Sequence, residues 1–194
     1  KFVTITNGFD NPTTNGKFQK GAHAVGNPPI ELCHFGSVYG KRTPLLLLQA
    51  VKELIDERQI RPDQLRLRFV GAWDVTETSC ENLTQELEQA GIVRREPAVR
   101  HEECTRQMRS ANALLILQPA SPLQIPAKIY EYIATGRPLL VIGGEGATAG
   151  LVERYQLGTC CRNEVANIKK LLSRIVNGNV QITPPPEKEL ERFE

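Results

Sequence analysis

Ile125-Pro126-Ala127-Lys128-Ile129-Tyr130-Glu131-Tyr132-Ile133-Ala134-Thr135-Gly136-Arg137-Pro138 lies between two apolar runs, Ala113 to Leu117 and Leu139 to Ile142. With the turn-rich Gln118 to Gln124 ahead of it, the segment reads as strand, loop, short helix, strand. Pro126 can open the helix, because the first helical residues have no intrahelical partner for their N–H groups. Gly136 followed by Pro138 closes it. Ile129, Tyr132, Ile133 and Gly136 keep the three-and-four spacing of a face that packs on a sheet, whereas Lys128, Glu131 and Thr135 share another side. Lys128 and Glu131 then stand just beyond the C-terminal end of a strand, where open α/β sheets bind ligands. An exposed ion pair one turn apart is the plainer alternative.

Working outward, the same alternation recurs along the chain. Ile30 to Phe35 is a strand, Gly36-Ser37-Val38-Tyr39-Gly40-Lys41-Arg42 a glycine-containing turn, and Thr43 caps a helix with Pro44 at its first position that runs to about Glu57. Leu65 to Val70 is a strand ending at Gly71-Ala72-Trp73-Asp74, and Glu77 to Ala90 is a helix. Ile92 to Val99 is a weaker strand and Glu102 to Ser110 a helix. Beyond the central segment come a helix over Ala147 to Gln156, a short strand over Gly158 to Cys161 and a helix over Glu164 to Val176. Strands alternating with helices predict an α/β fold, a Rossmann-like doubly wound parallel sheet of about six strands with helices on both faces.

The boundaries follow from composition. Residues 1–29 read as a link strand, Phe2 to Thr6, and a long loop rich in Asn, Gly, Thr and Pro; residues 30–183 form the sheet domain; Pro184-Pro185-Pro186 opens 184–194 as the start of a truncated helix. The abrupt beginning on a strand without Met suggests a piece of a longer protein.

Length and charge narrow the function. The 194 residues, 40% of them hydrophobic, suffice for one well-filled domain. A net charge of +2, with basic and acidic residues interspersed, gives no reason to expect a nucleic-acid partner. No apolar run approaches the roughly 18 residues of a membrane span. Cys33, Cys80, Cys104, Cys160 and Cys161 lack the spacing of a zinc site and read as reduced thiols of a cytoplasmic protein, Cys33 and the Cys160-Cys161 pair as small core residues. His23, His34 and His101 are too dispersed to suggest a metal.

Several loops could carry chemistry. In Gly36 to Arg42, Gly36 permits close backbone approach, Ser37 can donate a hydrogen bond, and Lys41 or Arg42 can neutralise a phosphate near a helix start. The loop matches neither the Walker pattern nor the dinucleotide fingerprint, so an ordinary βα turn is equally open. Gly71 could let a ligand approach, with Trp73 as a hydrophobic cover. His101 could cap its helix and line the cleft, or lie on a solvated helix start. Gly143-Gly144-Glu145-Gly146-Ala147-Thr148 offers a second anion cradle or a surface loop.

The order of Thr4-Ile5-Thr6-Asn7-Gly8-Phe9-Asp10, then Phe35-Gly36-Ser37-Val38-Tyr39-Gly40 with Leu45 to Leu54, then Phe69-Val70-Gly71, then Pro126-x-Lys128-x-x-Glu131-Tyr132-x-Ala134-x-Gly136-x-Pro138 resembles family 4-like glycosyltransferases. The chain looks like the C-terminal, donor-binding half of a GT-B enzyme. The resemblance implies a nucleoside-diphosphate sugar as donor substrate, no metal or other cofactor, an unknown acceptor, a missing N-terminal domain that holds the acceptor site and catalytic base, and a cytoplasmic or membrane-peripheral whole protein. It matches Glu131 to the glutamate that binds the donor ribose and Gly36 and Ser37 to the loop near the diphosphate. Lys41 or Arg42 stands for the basic residues there, and Lys128 either assists them or holds Glu131. One departure is plain: the family's first glutamate falls on Leu123. The sugar contact is then made differently, or the donor differs, or transfer has been lost. A nucleotide-sugar epimerase of the same fold and a non-catalytic binding or scaffold domain are the alternatives.

Overall fold

The computed structural model describes residues 29–118 and 122–193. The link strand, the following loop and the Thr4 to Asp10 motif lie outside the described residues. Among the described residues eight strands and seven α-helices follow one another: β1 (Ile30–Phe35), β2 (Val38–Tyr39), α1 (Leu45–Asp56), β3 (Leu65–Val70), β4 (Trp73–Asp74), α2 (Thr78–Gln89), β5 (Val93–Glu96), α3 (His101–Ser110), β6 (Ala113–Leu117), α4 (Lys128–Ile133), β7 (Leu139–Ile142), α5 (Ala147–Arg154), β8 (Gly158–Cys161), α6 (Val165–Val176) and α7 (Glu187–Leu190), with a 3₁₀ turn at Glu191–Phe193.

Six strands form one parallel sheet in the order β5-β3-β1-β6-β7-β8. The chain winds outward from β1 to one edge, returns, and winds outward from β6 to the other, which places the topological switch point between β1 and β6. Side-chain alternation sends Leu32, Leu67 and Leu115 to one face, under α1, α2 and α6, and Cys33, Leu114 and Ile116 to the other, with Met108, Ile129, Tyr132 and Val152. Buried Leu48, Val51 and Leu54 of α1 each contribute roughly 1.5–3 kcal/mol of burial. Arg68 of β3 points to the second face, where Glu96 holds it bidentately at 2.7 and 2.8 Å and Gln107 at 2.6 Å, so a charge enters the sandwich with its donors satisfied. A second sheet, of two parallel strands, pairs Val38 with Trp73 and Tyr39 with Asp74 inside what the sequence reads as turns.

Helix ends shift by a residue or two from expectation. Thr43 lies one residue ahead of the cap position, although its hydroxyl still accepts the Leu45 N–H at 3.2 Å. The central helix is shorter than its pattern, because Ile129 and Tyr130 bond back three residues, to Pro126 and Ala127, and Gly136, at φ +67°, bonds back three to Ile133. Thr135 is buried rather than sharing a solvated side with Lys128 and Glu131; its hydroxyl donates to the Tyr132 carbonyl at 2.6 Å, which satisfies it in the interior.

Candidate functional site

β1 and β3 stay paired from Ile30 to Phe35, whereas β1 and β6 are in register only at Leu32↔Ala113 and Cys33↔Leu114. Past Cys33 the two strands part, and side chains take over the backbone groups that the ladder abandons. The hydroxyl of fully buried Tyr132 accepts the Phe35 N–H at 2.8 Å and lies 3.1 Å from the Phe35 carbonyl, to which it donates. The His34 ring spans the gap, with Nδ1 3.0 Å from the Leu115 carbonyl. Because a carbonyl only accepts, Nδ1 carries the proton and Nε2 is left bare.

Lys128 reaches into this gap from the first turn of α4. Its Nζ donates to the Phe35 carbonyl at 3.1 Å and lies 3.2 Å from His34 Nε2. The same ammonium explains Gly36: a Cβ there would come within 2.9 Å of Nζ, and the backbone has φ +116°. The alternative of a Lys128–Glu131 ion pair is not realised among the described residues. Lys128 turns inward along the helix while Glu131 stays exposed, and among the described residues neither finds a partner of opposite charge within salt-bridge distance. Glu131 instead faces α3, where burial first and then its charge raise the Cys104 thiol pKa.

Arg42 is the second cation of the crevice. Its guanidinium donates to Gln124 Oε1 at 2.9 Å and to the Tyr39 hydroxyl at 3.3 Å, tying the loop after β1 to the loop after β6. Burial, and next the charge of Arg42, pull the Lys128 ammonium down to about 8 against the opposing pull of Glu131. Burial, followed by the Lys128 charge, holds His34 at about 3 despite the carbonyls of Leu115 and Ser37, so the ring is neutral at physiological pH. Two cations thus face one crevice, each held by uncharged partners.

The remaining expected residues divide. Ser37 is exposed at the mouth, and its N–H has no partner among the described residues, while Gly36 N–H and Val38 N–H are taken by Val70 and Ala72 at 2.8 and 2.9 Å. The backbone of this loop is therefore mostly spent on the fold, and its anion-binding capacity rests on side chains. Lys41 is exposed, which leaves Arg42 as the basic residue turned toward Lys128. Gly71 packs backbone on backbone: a Cβ there would meet the Gly36 carbonyl at 2.5 Å. His101 is the exposed first residue of α3 and makes no side-chain cap bond. Trp73 is the expected cover, edge-on to Phe69 at 5.3 Å and donating to Glu81 at 3.1 Å.

In the Gly143 to Thr148 loop several donors are taken up by neighbouring segments. Gly143 and Gly144 donate to the Cys161 carbonyl at 3.1 and 3.3 Å, Ala147 donates to the Pro122 carbonyl at 2.6 Å, and the Thr148 hydroxyl donates to the Gln124 carbonyl at 2.8 Å. It serves to hold the 122–124 segment in place. Leu123 in that segment is 93% exposed.

Sequence reading overlooked His34, Gln124 and the Tyr132 hydroxyl. A histidine inside a buried parallel strand and a tyrosine on the sheet-facing stripe were the available signals, since each must find a polar partner in the interior.

No protein-family model and no curated protein sequence matches the chain. Solved structures do. A lipopolysaccharide outer core galactosyltransferase, WaaB, superposes with a TM-score of 0.65 at 16% identity, over 98% of this chain and 51% of that one. The C-terminal domain of a glycosyl transferase group 1 family protein, LpcC, from Francisella tularensis gives 0.57 at 14% identity, over 86% of this chain and 81% of that one. AviGT4, a glycosyltransferase involved in avilamycin A biosynthesis, gives 0.57 at 18%, over 86% and 45%. The chain has the fold of a GT-B glycosyltransferase C-terminal domain. It spans about half the length of the galactosyltransferase it matches, and most of the separate C-terminal domain. Among the described residues, no helix is long and apolar enough to cross a membrane.

Proposed function

We propose that this chain is the donor-binding domain of a glycosyltransferase that moves a sugar from a nucleoside-diphosphate sugar to an acceptor. One observation carries the reading. The Lys128 ammonium and the Arg42 guanidinium face the switch-point crevice without a carboxylate partner among the described residues, and the unpaired Glu131 carboxylate stands one turn along the same helix. Two uncompensated cations suit a diphosphate. A carboxylate that accepts from two adjacent hydroxyls suits a ribose. In the reaction the two cations stabilise the negative charge that develops on the departing diphosphate, with no metal and no other cofactor needed. Ser37 at the mouth adds a donor, and His101 and Lys41 sit further out on the same edge. An acceptor site and a catalytic base belong to the N-terminal domain of the whole protein, so the isolated chain binds nucleotide without turnover. A cytoplasmic or membrane-peripheral setting fits this reading.

The exposed Leu123, where an acidic sugar contact is expected, favours a second reading: a nucleotide-binding domain of the same fold without transfer activity. Product formation by the full-length protein from a nucleotide sugar would exclude it. For the donor site itself, the 194-residue chain is titrated with UDP, GDP and ADP while its amide signals are followed. Shifts confined to residues around Gly36, Lys128 and Glu131 are expected with one of them, and Glu131→Ala should weaken that binding by about 1.5–3 kcal/mol. No response near these residues to any of the three nucleotides would sink the assignment.

A further inference from the structure

A lysine side chain at the rim of a cleft ordinarily samples many rotamers, because its ammonium is strongly hydrated and its stem flexible. Lys128 does not have that freedom. Its Nζ is bracketed by the Phe35 carbonyl at 3.1 Å and His34 Nε2 at 3.2 Å, directly over Gly36. His34 is itself fixed from behind by the Leu115 carbonyl at 3.0 Å and is 3% exposed, with its ring against Phe69. The chain of contacts runs from β6 through β1 to α4 and crosses the gap where β1 and β6 part.

We propose that His34 is a positioning residue for Lys128: its neutral ring holds the ammonium over Gly36, aimed into the crevice, without cancelling the charge. This rests on the nucleotide-binding reading of that crevice. A carboxylate at position 34 would fix the lysine equally well, but it would neutralise the cation and repel an incoming anion. A bare imidazole nitrogen accepts a hydrogen bond and carries no charge, so the cation is ordered in advance and remains attractive to phosphate oxygens. The ordering cost is then met on folding and not on binding.

Two conservative variants separate the two ends of the ring. The amide of His34→Gln mimics Nε2 and keeps an acceptor for Lys128, whereas that of His34→Asn mimics Nδ1 and keeps the donor to Leu115 while removing the acceptor. Affinity is measured by calorimetry with UDP, GDP and ADP on the whole chain. Loss of the hydrogen-bond acceptor in His34→Asn should weaken nucleotide binding by about tenfold, and His34→Gln by less than about threefold. In a Lys128→Met background the step from His34 to Asn should change affinity by less than about twofold, because the effect runs through the lysine. A purely structural role predicts the same loss with and without Lys128, and that result overturns the proposal.

A second measurement needs no nucleotide. The Lys128 side-chain carbon signals of ligand-free protein are titrated by NMR, with Arg42, Glu131 and His34 as the charged and titratable groups facing the ammonium. His34→Asn should lower the Lys128 midpoint by about half a pH unit or more, and His34→Gln should leave it in place. If no nucleotide binds but the midpoint moves this way, the positioning role stands and the ligand reading falls. If nucleotide binds equally to both variants and the midpoint is unmoved, His34 positions nothing.

Discussion

The loop after β1 and the loop after β7 carry glycines at the same edge of the same sheet, yet they do opposite work. In the second, the Gly143, Gly144 and Ala147 N–H groups are consumed by carbonyls of neighbouring segments, and the cation that faces it from the end of β8, Arg162, is neutralised by the loop's Glu145 at 2.8 Å. In the first, the Gly36, Val38 and Arg42 N–H groups are likewise consumed, but the Lys128 and Arg42 side chains are held by uncharged partners only. Both loops carry glycine directly after their strand, and what distinguishes a candidate anion site is charge left uncompensated by the fold.

The sharpest way to break this comparison is at the backbone contact that supports the first loop. Gly71→Ala puts a Cβ 2.5 Å from the Gly36 carbonyl at φ +144°, and should cost about 3–5 kcal/mol in urea denaturation. Gly144→Ala, at φ +101° with nothing within 4 Å, should cost only about 1–2 kcal/mol, mostly for its backbone conformation. Equal costs at the two positions would erase the distinction drawn between them.

Protonation of Lys128 tests the charge side. Burial and Arg42 bring its folded value to about 8, below the ordinary 10.5, so between these the unfolded chain binds the extra proton. Stability should therefore rise with pH in that window, by up to about 3 kcal/mol. Nucleotide affinity should fall over the same range as the ammonium is lost, although a bound anion will move the midpoint upward. Opposite slopes in melting and in binding are the expected signature, and Lys128→Met should flatten both. Parallel slopes would place the titrating group elsewhere.

Tyr132→Phe removes the hydroxyl that serves both the N–H and the carbonyl of Phe35, leaving a buried donor unpaired, and should cost about 1–3 kcal/mol of stability. A change within error would mean that the parted strands do not depend on it. The smallest effect belongs to the second loop. Arg162→Ala breaks a pair whose side chains are 62% and 88% exposed, and should alter stability by less than about 0.5 kcal/mol and nucleotide affinity not at all.

Much of the architecture was legible from short-range pattern. The runs Leu65 to Val70, Ala113 to Leu117 and Leu139 to Ile142 are short, apolar and punctuated by Gly and Pro, and the stripe Ile129, Tyr132, Ile133 has helical period, so alternating strands and helices follow from local chemistry. The two-residue strands β2 and β4 were not legible, since each exists only through pairing with the other across more than thirty residues. The close contacts of Gly71 and of the Gly143 loop were not legible for the same reason. A glycine's neighbours in space are not its neighbours in sequence, and Gly36 and Pro122 are what those glycines accommodate.

Glu131 and Lys128 show where local pattern ends. Their residue types, their spacing and their place after a strand at the ligand-binding edge are properties of the chain alone. That one turns inward to Phe35 and His34 while the other stays open to solvent is decided by the parting of β1 from β6 past Cys33, a long-range event. Periodicity describes which residues share a face of one element. Whether a charge on that face is neutralised depends on which element, folded from a distant part of the chain, lies opposite.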